Sequence, residues 1–151
     1  MRFWDSSGLV PLLVRQRASG RMRSLYRSDP GVLAWWGAAV ECESAISRLE
    51  REGLLRRRSA AAARARLDRF AATWHEVQPS EPLRENARRF LRVHDLRPAD
   101  ALQLAAASAA AEGRPAALAL VCLDDRLAFA TEREGFPLMG GAAPSKRPRT
   151  R

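Results

Sequence analysis

The stretch Met1-Arg-Phe-Trp-Asp5-Ser-Ser-Gly-Leu-Val-Pro-Leu-Leu13 decides how the rest of the chain is read. Phe3-Trp4 is a short apolar run that ends in a carboxylate, Asp5, and two hydroxyls, Ser6 and Ser7, come next. Gly8 breaks the run, and Leu9, Val10, Leu12 and Leu13 then recur at helical spacing. The pattern predicts a strand, a tight turn and a helix, with Asp5 at the carboxyl end of the strand. Pro11 is placed in the first helical turn, where amides have no partner within the helix and a missing N–H costs nothing. Ligands of open α/β sheets bind beyond the carboxyl ends of the strands. Asp5, Ser6 and Ser7 therefore offer oxygen ligands at such a crevice.

Working outward, Ser19–Pro30 carries Met22, Leu25 and Tyr26 at helical spacing, which predicts a short helix. Gly31-Val-Leu-Ala-Trp-Trp36-Gly37 is an apolar run between glycines and predicts a buried strand. A helix over about Ala38–Leu54 follows, with Cys42, Ala45, Ile46 and Leu49 as its apolar stripe and Gly53 at its end. Ser59–Gln78 is rich in Ala, Arg and Leu and predicts a helix through its whole length. Another is expected over Leu83–His94, with Phe90 and Leu91 buried. Asp100 then opens the most apolar helix of the chain: from Ala101 to Ala111 only Gln103 and Ser108 are polar. Ala116–Leu123 reads as a strand that ends at Asp124-Asp125, a helix over Arg126–Glu134 follows, and Phe136–Met139 suits an edge strand. Strands separated by helices imply an α/β fold with a parallel sheet.

Composition narrows the class. With 151 residues, 46% of them apolar, the chain suits a single globular domain. No stretch of 18 residues is free of charge, which argues against a membrane span, and no secretory signal is read at the amino terminus. The two cysteines, Cys42 and Cys122, sit in apolar contexts and suit buried thiols of a cytoplasmic protein. Lys and Arg number 26 against 17 Asp and Glu, a balance that favours polyanionic partners. Four of those cations, Lys146, Arg147, Arg149 and Arg151, fall in residues 140–151, a stretch expected to be a disordered basic tail. The arginines at 15, 17, 21, 23 and 27 and the run Arg56–Arg58 read as solvated helix faces, or else as a rim that follows a phosphate backbone. Trp4 and at least one of Trp35 and Trp36 are expected in the core, while Trp74 suits an interface.

Four acids occupy matching places. Asp5 follows the first strand, Glu41 lies in the first turn of the helix after the second, Asp100 opens the buried helix, and Asp124 ends the strand that follows it. Each alone suits a helix cap or a helix dipole. Together they face one crevice, where four like charges raise one another's pKa unless a cation is present. Hard divalent ions take such oxygen ligands, and a bound Mg²⁺ activates water for attack on a phosphodiester. His75 and His94, both placed in helices, offer no base at the strand ends.

Phe-Trp-Asp5-Ser-Ser, Trp35-Trp36-Gly-Ala-Ala-Val-Glu41, Arg97-Pro-Ala-Asp100-Ala-Leu-Gln-Leu-Ala and Cys122-Leu-Asp124-Asp-Arg-Leu-Ala, in this order and spacing, resemble the PIN-domain ribonucleases, and most closely the VapC-type toxins of toxin–antitoxin pairs. The resemblance implies a three-layer α/β/α PIN-like domain over residues 1–139 with a central, mostly parallel sheet of four to five short strands. It implies a metal-dependent endoribonuclease with Asp5, Glu41, Asp100 and Asp124 as catalytic residues, and Mg²⁺, or Mn²⁺, held by Asp5, Asp100 and Asp124. Ser6 or Ser7 would assist. Glu43 competes with Glu41 and Asp125 with Asp124 for their places. An RNA substrate, single-stranded or structured, a cognate antitoxin and a homodimer are the partners it implies. Two other classes compete. One is a catalytically silent PIN-like module that binds RNA or a partner. The other is a Mg²⁺-dependent phosphoacceptor domain, which requires a lysine after the last strand, whereas the only lysine is Lys146.

Overall fold

The structure is a computed structural model that describes residues 1–141. Of the expected disordered tail, 140–151, Gly140 and Gly141 are placed, Gly140 against Met22 and Val121, and the rest, from residue 142, lies outside the described residues. Five short strands, β1 (Arg2–Trp4), β2 (Val32–Trp35), β3 (His75–Val77), β4 (Leu120–Val121) and β5 (Leu138–Met139), pair in parallel in the order β3-β2-β1-β4-β5. The helices are α1 (Ser6–Leu13), α2 (Ser19–Ser28), α3 (Ala38–Arg51), α4 (Arg57–Ala71), α5 (Glu81–Val93), α6 (Pro98–Ala111) and α7 (Asp125–Arg133).

The strands alternate with a period of two, as the pleat requires. Phe3, Trp35, Leu120 and Cys122 face a core built with α5, α6 and α7. Trp4, Val32, Ala34 and Val121 face a second core built with α1–α4. The result is the expected three-layer α/β/α domain. Each large side chain fully withdrawn from water here contributes about 1.5–3 kcal/mol. Because the chain runs outward from β1 to β3 and returns to β4 on the other side of β1, connections leave β1 and β4 toward opposite faces. The crevice beyond their carboxyl ends is the topological switch point of the sheet.

Local structure departs from the sequence expectation in several places. There is no separate turn after β1. Asp5 is itself the N-cap of α1, accepting from the Ser7 amide at 3.0 Å, so the helix starts at Ser6. Gly8 then sits inside the first turn, and a Cβ there would lie 3.1 Å from the Val121 carbonyl oxygen, so glycine lets α1 close onto β4. The early start also moves Pro11 to the sixth position of α1, past the first turn, where its ring interrupts the helix ladder.

The helix expected to reach Gln78 stops at Ala71, and His75–Val77 form an edge strand instead. Thr73 ends it by bonding the Phe70 carbonyl with both its amide (2.9 Å) and its hydroxyl (2.8 Å). Trp74 is buried against Phe70 in the core, not at an interface. His75 is thus a strand residue, paired with Leu33. The strand expected over Ala116–Leu123 is cut to Leu120–Val121 because Pro115–Ala117 form a 3₁₀ turn. That alanine-rich segment lacks the β-branched side chains that favour a strand. In α5, Phe90 is buried as expected, but Leu91 is 41% exposed. Both cysteines are buried and free, and no helix among the described residues is long and apolar enough to cross a membrane.

Candidate active site at the carboxyl ends of the strands

Asp5 is the most deeply placed of the acids, 3% exposed. Its Oδ2 accepts from the Ser7 amide and hydroxyl, and Ser7 Oγ in turn accepts from the Leu123 amide at 2.8 Å. Cys122 Sγ stands 3.7 Å from the same oxygen. Burial pushes the Asp5 carboxyl above its usual range; the Ser7 bonds oppose this, and the Asp100 charge adds to it.

Glu41 reaches the crevice from the first turn of α3. Its Oε2 accepts from Ser6 Oγ at 2.8 Å and from Gln103 Nε2 at 3.1 Å. Burial again raises its pKa. The two donors favour the ionised form and offset part of the rise, while Asp5 and Asp100 add to it. The Gln103 side chain is wholly buried, and its Oε1 has no hydrogen-bond partner among the described residues, so its bond to Glu41 comes from the amide nitrogen alone.

Asp100 and Asp124 lie on the wetter side. Asp100 is the third residue of α6 and accepts from the Arg97 amide at 3.2 Å. Partial burial raises its pKa; the Arg97 bond opposes this, Asp124 adds to the rise, and the charges of Arg97 and Arg126 oppose it. Asp124 caps α7 by accepting from the Arg126 and Leu127 amides, both at 2.9 Å. The four acids thus form one electrostatic group: Asp5 and Glu41 each feel Asp100, and Asp100 feels Asp124. Among the described residues no three Asp, Glu, His or Cys side chains close into a ready-made metal cage.

The competing acids go elsewhere. Glu43 bonds Arg64 at 2.7 Å and Ser47 at 2.9 Å on the outside of α3, and the Arg64 bond lowers its pKa. Asp125 is the exposed first residue of α7. His94 caps the far end of α5 and pairs with Glu134 at 2.6 Å, away from the strand ends. The arginines at 15, 17, 21, 23 and 27 are exposed, and Arg27 flanks Leu25 and Ser28, which Arg2 contacts at the amino end of β1.

Three residues at the site escaped the sequence reading of roles. Gln103 was visible as a lone polar residue in an apolar helix, but its partner is 62 positions away. Arg97 and Arg126 were visible beside the Asp100 and Asp124 motifs, and the fold brings both to bear on the Asp100 carboxylate.

The α/β/α fold with its five-stranded parallel sheet has counterparts among solved structures. VapC20 of Mycobacterium tuberculosis, described as a sarcin-ricin loop cleaving toxin, is 22% identical, with a TM-score of 0.64 over 90% of this chain and 96% of that one. A toxin–antitoxin complex from Klebsiella pneumoniae is 15% identical, with a TM-score of 0.61 over 97% and 100% of the two chains. FitAcB from Neisseria gonorrhoeae is 16% identical, with a TM-score of 0.61 over 91% and 96%. The chain shares the fold of these three structures. Its sequence matches no family model and no curated protein.

Proposed function

We propose that this protein is a metal-dependent endoribonuclease that hydrolyses RNA phosphodiester bonds, and that it is the toxin of a type II toxin–antitoxin system. The observation that carries the reading is the gathering of Asp5, Glu41, Asp100 and Asp124 from four separate elements at one sheet edge, three of them with raised pKa values. Such a set is costly as bare charges and suits a cation. The donor chemistry fits: hard carboxylate oxygens suit Mg²⁺, or Mn²⁺, which keeps several waters and binds through few carboxylates and substrate phosphate. Asp5, Asp100 and Asp124 would hold it. The cation, when bound, lowers the pKa of water and offsets charge that develops on the phosphate.

The remaining work falls to the chain itself. Glu41 Oε2 is occupied by Ser6 and Gln103, so Oε1 is the atom left to take a proton from attacking water. Its raised pKa brings it closer to working pH, which favours a general base. Ser7 orients Asp5 by bonding one oxygen, and Arg97 and Arg126 at the rim would meet the phosphates on either side of the cut. The fold likeness to a sarcin-ricin loop cleaving toxin and to a toxin–antitoxin complex supports an RNA substrate, single-stranded or structured, and a cognate antitoxin that would cover this crevice. A cytoplasmic homodimer belongs to the same reading. One observation favours a catalytically silent module that binds RNA or a partner: the absence of a ready-made metal cage among the described residues.

The experiment is RNA cleavage with Mg²⁺, with excess chelator, and with Asp5→Asn. Expected are cleavage with Mg²⁺, none with chelator, and a loss of at least about a hundredfold in the variant, the low end for removing a group that carries charge or protons. Full activity in Asp5→Asn, or persistence in chelator, overturns the mechanism. RNA binding without cleavage selects the silent module.

A further inference from the structure

Of the four tryptophans, Trp4, Trp35 and Trp74 are buried and Trp36 is 52% exposed. Trp36 follows β2 at the carboxyl edge of the sheet, on the same rim as the acids. It is held there: its amide donates to the Val77 carbonyl at 3.1 Å, and its ring meets that of Trp35 edge-on, with centroids 6.3 Å apart. Gly37 makes this packing possible, because a Cβ there would lie 2.5 Å from Trp35 Nε1. An indole left in water yet fixed on a rigid strand end is a surface prepared for a flat partner.

Trp35, whose ring Trp36 meets, lines a cleft of about 310 Å³, at the low end of small-ligand sites. Trp35, Pro79, Leu83 and Leu102 give it an apolar lining, and Ser80 and the exposed Glu81–Arg84 ion pair stand at its polar edge. Leu102 and Asp100 are two residues apart on α6 and so project from nearly opposite sides of that helix. The cleft and the acidic crevice therefore flank the start of one helix, about 10–12 Å across. That is a short step along a nucleic-acid strand.

We infer that Trp36 and the adjoining cleft form a subsite for an unstacked nucleobase of the RNA strand, next to the phosphodiester held at the acids. The inference rests on the nuclease reading and adds to it where the substrate is gripped. Aromatic faces hold bases of single-stranded RNA by stacking, with Arg84 at the cleft edge to meet a phosphate.

The probe is a short, unstructured oligoribonucleotide, titrated without divalent cation so that binding alone is read. Four tryptophans emit and Trp35 lines the cleft, so the part of any quenching that Trp36→Phe removes is the part that reports stacking on Trp36. Expected are quenching on binding in the native protein, reduced quenching in Trp36→Phe despite binding near native strength, and affinity about 5- to 150-fold weaker in Trp36→Ala. Near-ultraviolet circular dichroism on both variants establishes that the fold is kept. Equal affinity and unchanged quenching in Trp36→Ala overturn the subsite. So does unchanged affinity together with loss of self-association or of a protein complex, which assigns Trp36 and the neighbouring exposed Val40 to an interface. Failure of the two readings is distinguishable: binding and quenching without any cleavage under Mg²⁺ removes the nuclease and keeps the subsite. Cleavage with a silent Trp36 does the reverse.

Discussion

The two halves of the acidic crevice are built differently. Asp5 is buried and Glu41 half-buried, and side-chain donors reach both, the Ser7 hydroxyl for one and Ser6 with Gln103 for the other, while Asp5 also caps α1 through the Ser7 amide. Asp100 and Asp124 are half-buried and held by backbone amides at helix starts, where a carboxylate also serves as a cap. Burial works against the charge of the first pair, and the donors offset part of that cost. The second is useful to the fold whether or not the protein acts on anything. Burial raises the Asp100 carboxyl as well, so the electrostatic strain is spread over β1, α3 and α6.

That contrast is broken or sharpened most strongly by pH and a divalent cation together. Asp5, Glu41 and Asp100 have folded-state pKa values raised above their unfolded ones, so the folded protein holds protons that the unfolded chain releases. Their contribution to stability therefore falls as pH climbs from the ordinary carboxylate range through the raised values. Melting at increasing pH without divalent cation is expected to show this loss. Added Mg²⁺ is expected to reverse it above the raised values, by about 2.7 kcal/mol at 100 times its Kd, or about 5–10 °C. It should do little in acid. A Mg²⁺ effect that is the same at every pH would mean that the acids do not share the ion.

A smaller effect separates the two jobs of Asp124. Asp124→Ala removes both the charge and the α7 cap and is expected to cost about 1 kcal/mol, roughly 2–4 °C in Tm. Asp124→Asn keeps a capping oxygen and should melt near the native temperature while still losing cleavage. Equal destabilisation by both would show that its charge, not its cap, supports the fold. The smallest effect belongs to Glu43. Glu43→Gln breaks an exposed pair with Arg64 and should cost at most about 1 kcal/mol with cleavage kept, whereas Glu41→Gln should remove it. A thermal melt beside a cleavage assay reads both.

The main lines of fold and site were legible because they follow from local chemistry. Alternation at Phe3-Trp4 and the helical spacing after it announce a strand and a helix, and an acid at each junction is a feature of neighbouring residues. The preference for Glu41 over Glu43 was legible from helix geometry, since Glu41 alone lies in the first turn of α3 and a residue two positions on projects from nearly the opposite side. Packing of α4 gives Glu43 to Arg64. Not legible was β3, whose three residues carry no strand pattern of their own and become a strand only through the edge of β2.

Sequence alone thus determined where strands hand over to helices and which side chains stand at those junctions, since propensity, capping and periodicity act over a few residues. Only the tertiary structure decided which acids share a crevice, that Gln103 serves Glu41, and that Trp36 rather than Trp35 faces water. Those outcomes depend on side chains brought together across tens of residues by burial, and burial is a property of the packed whole.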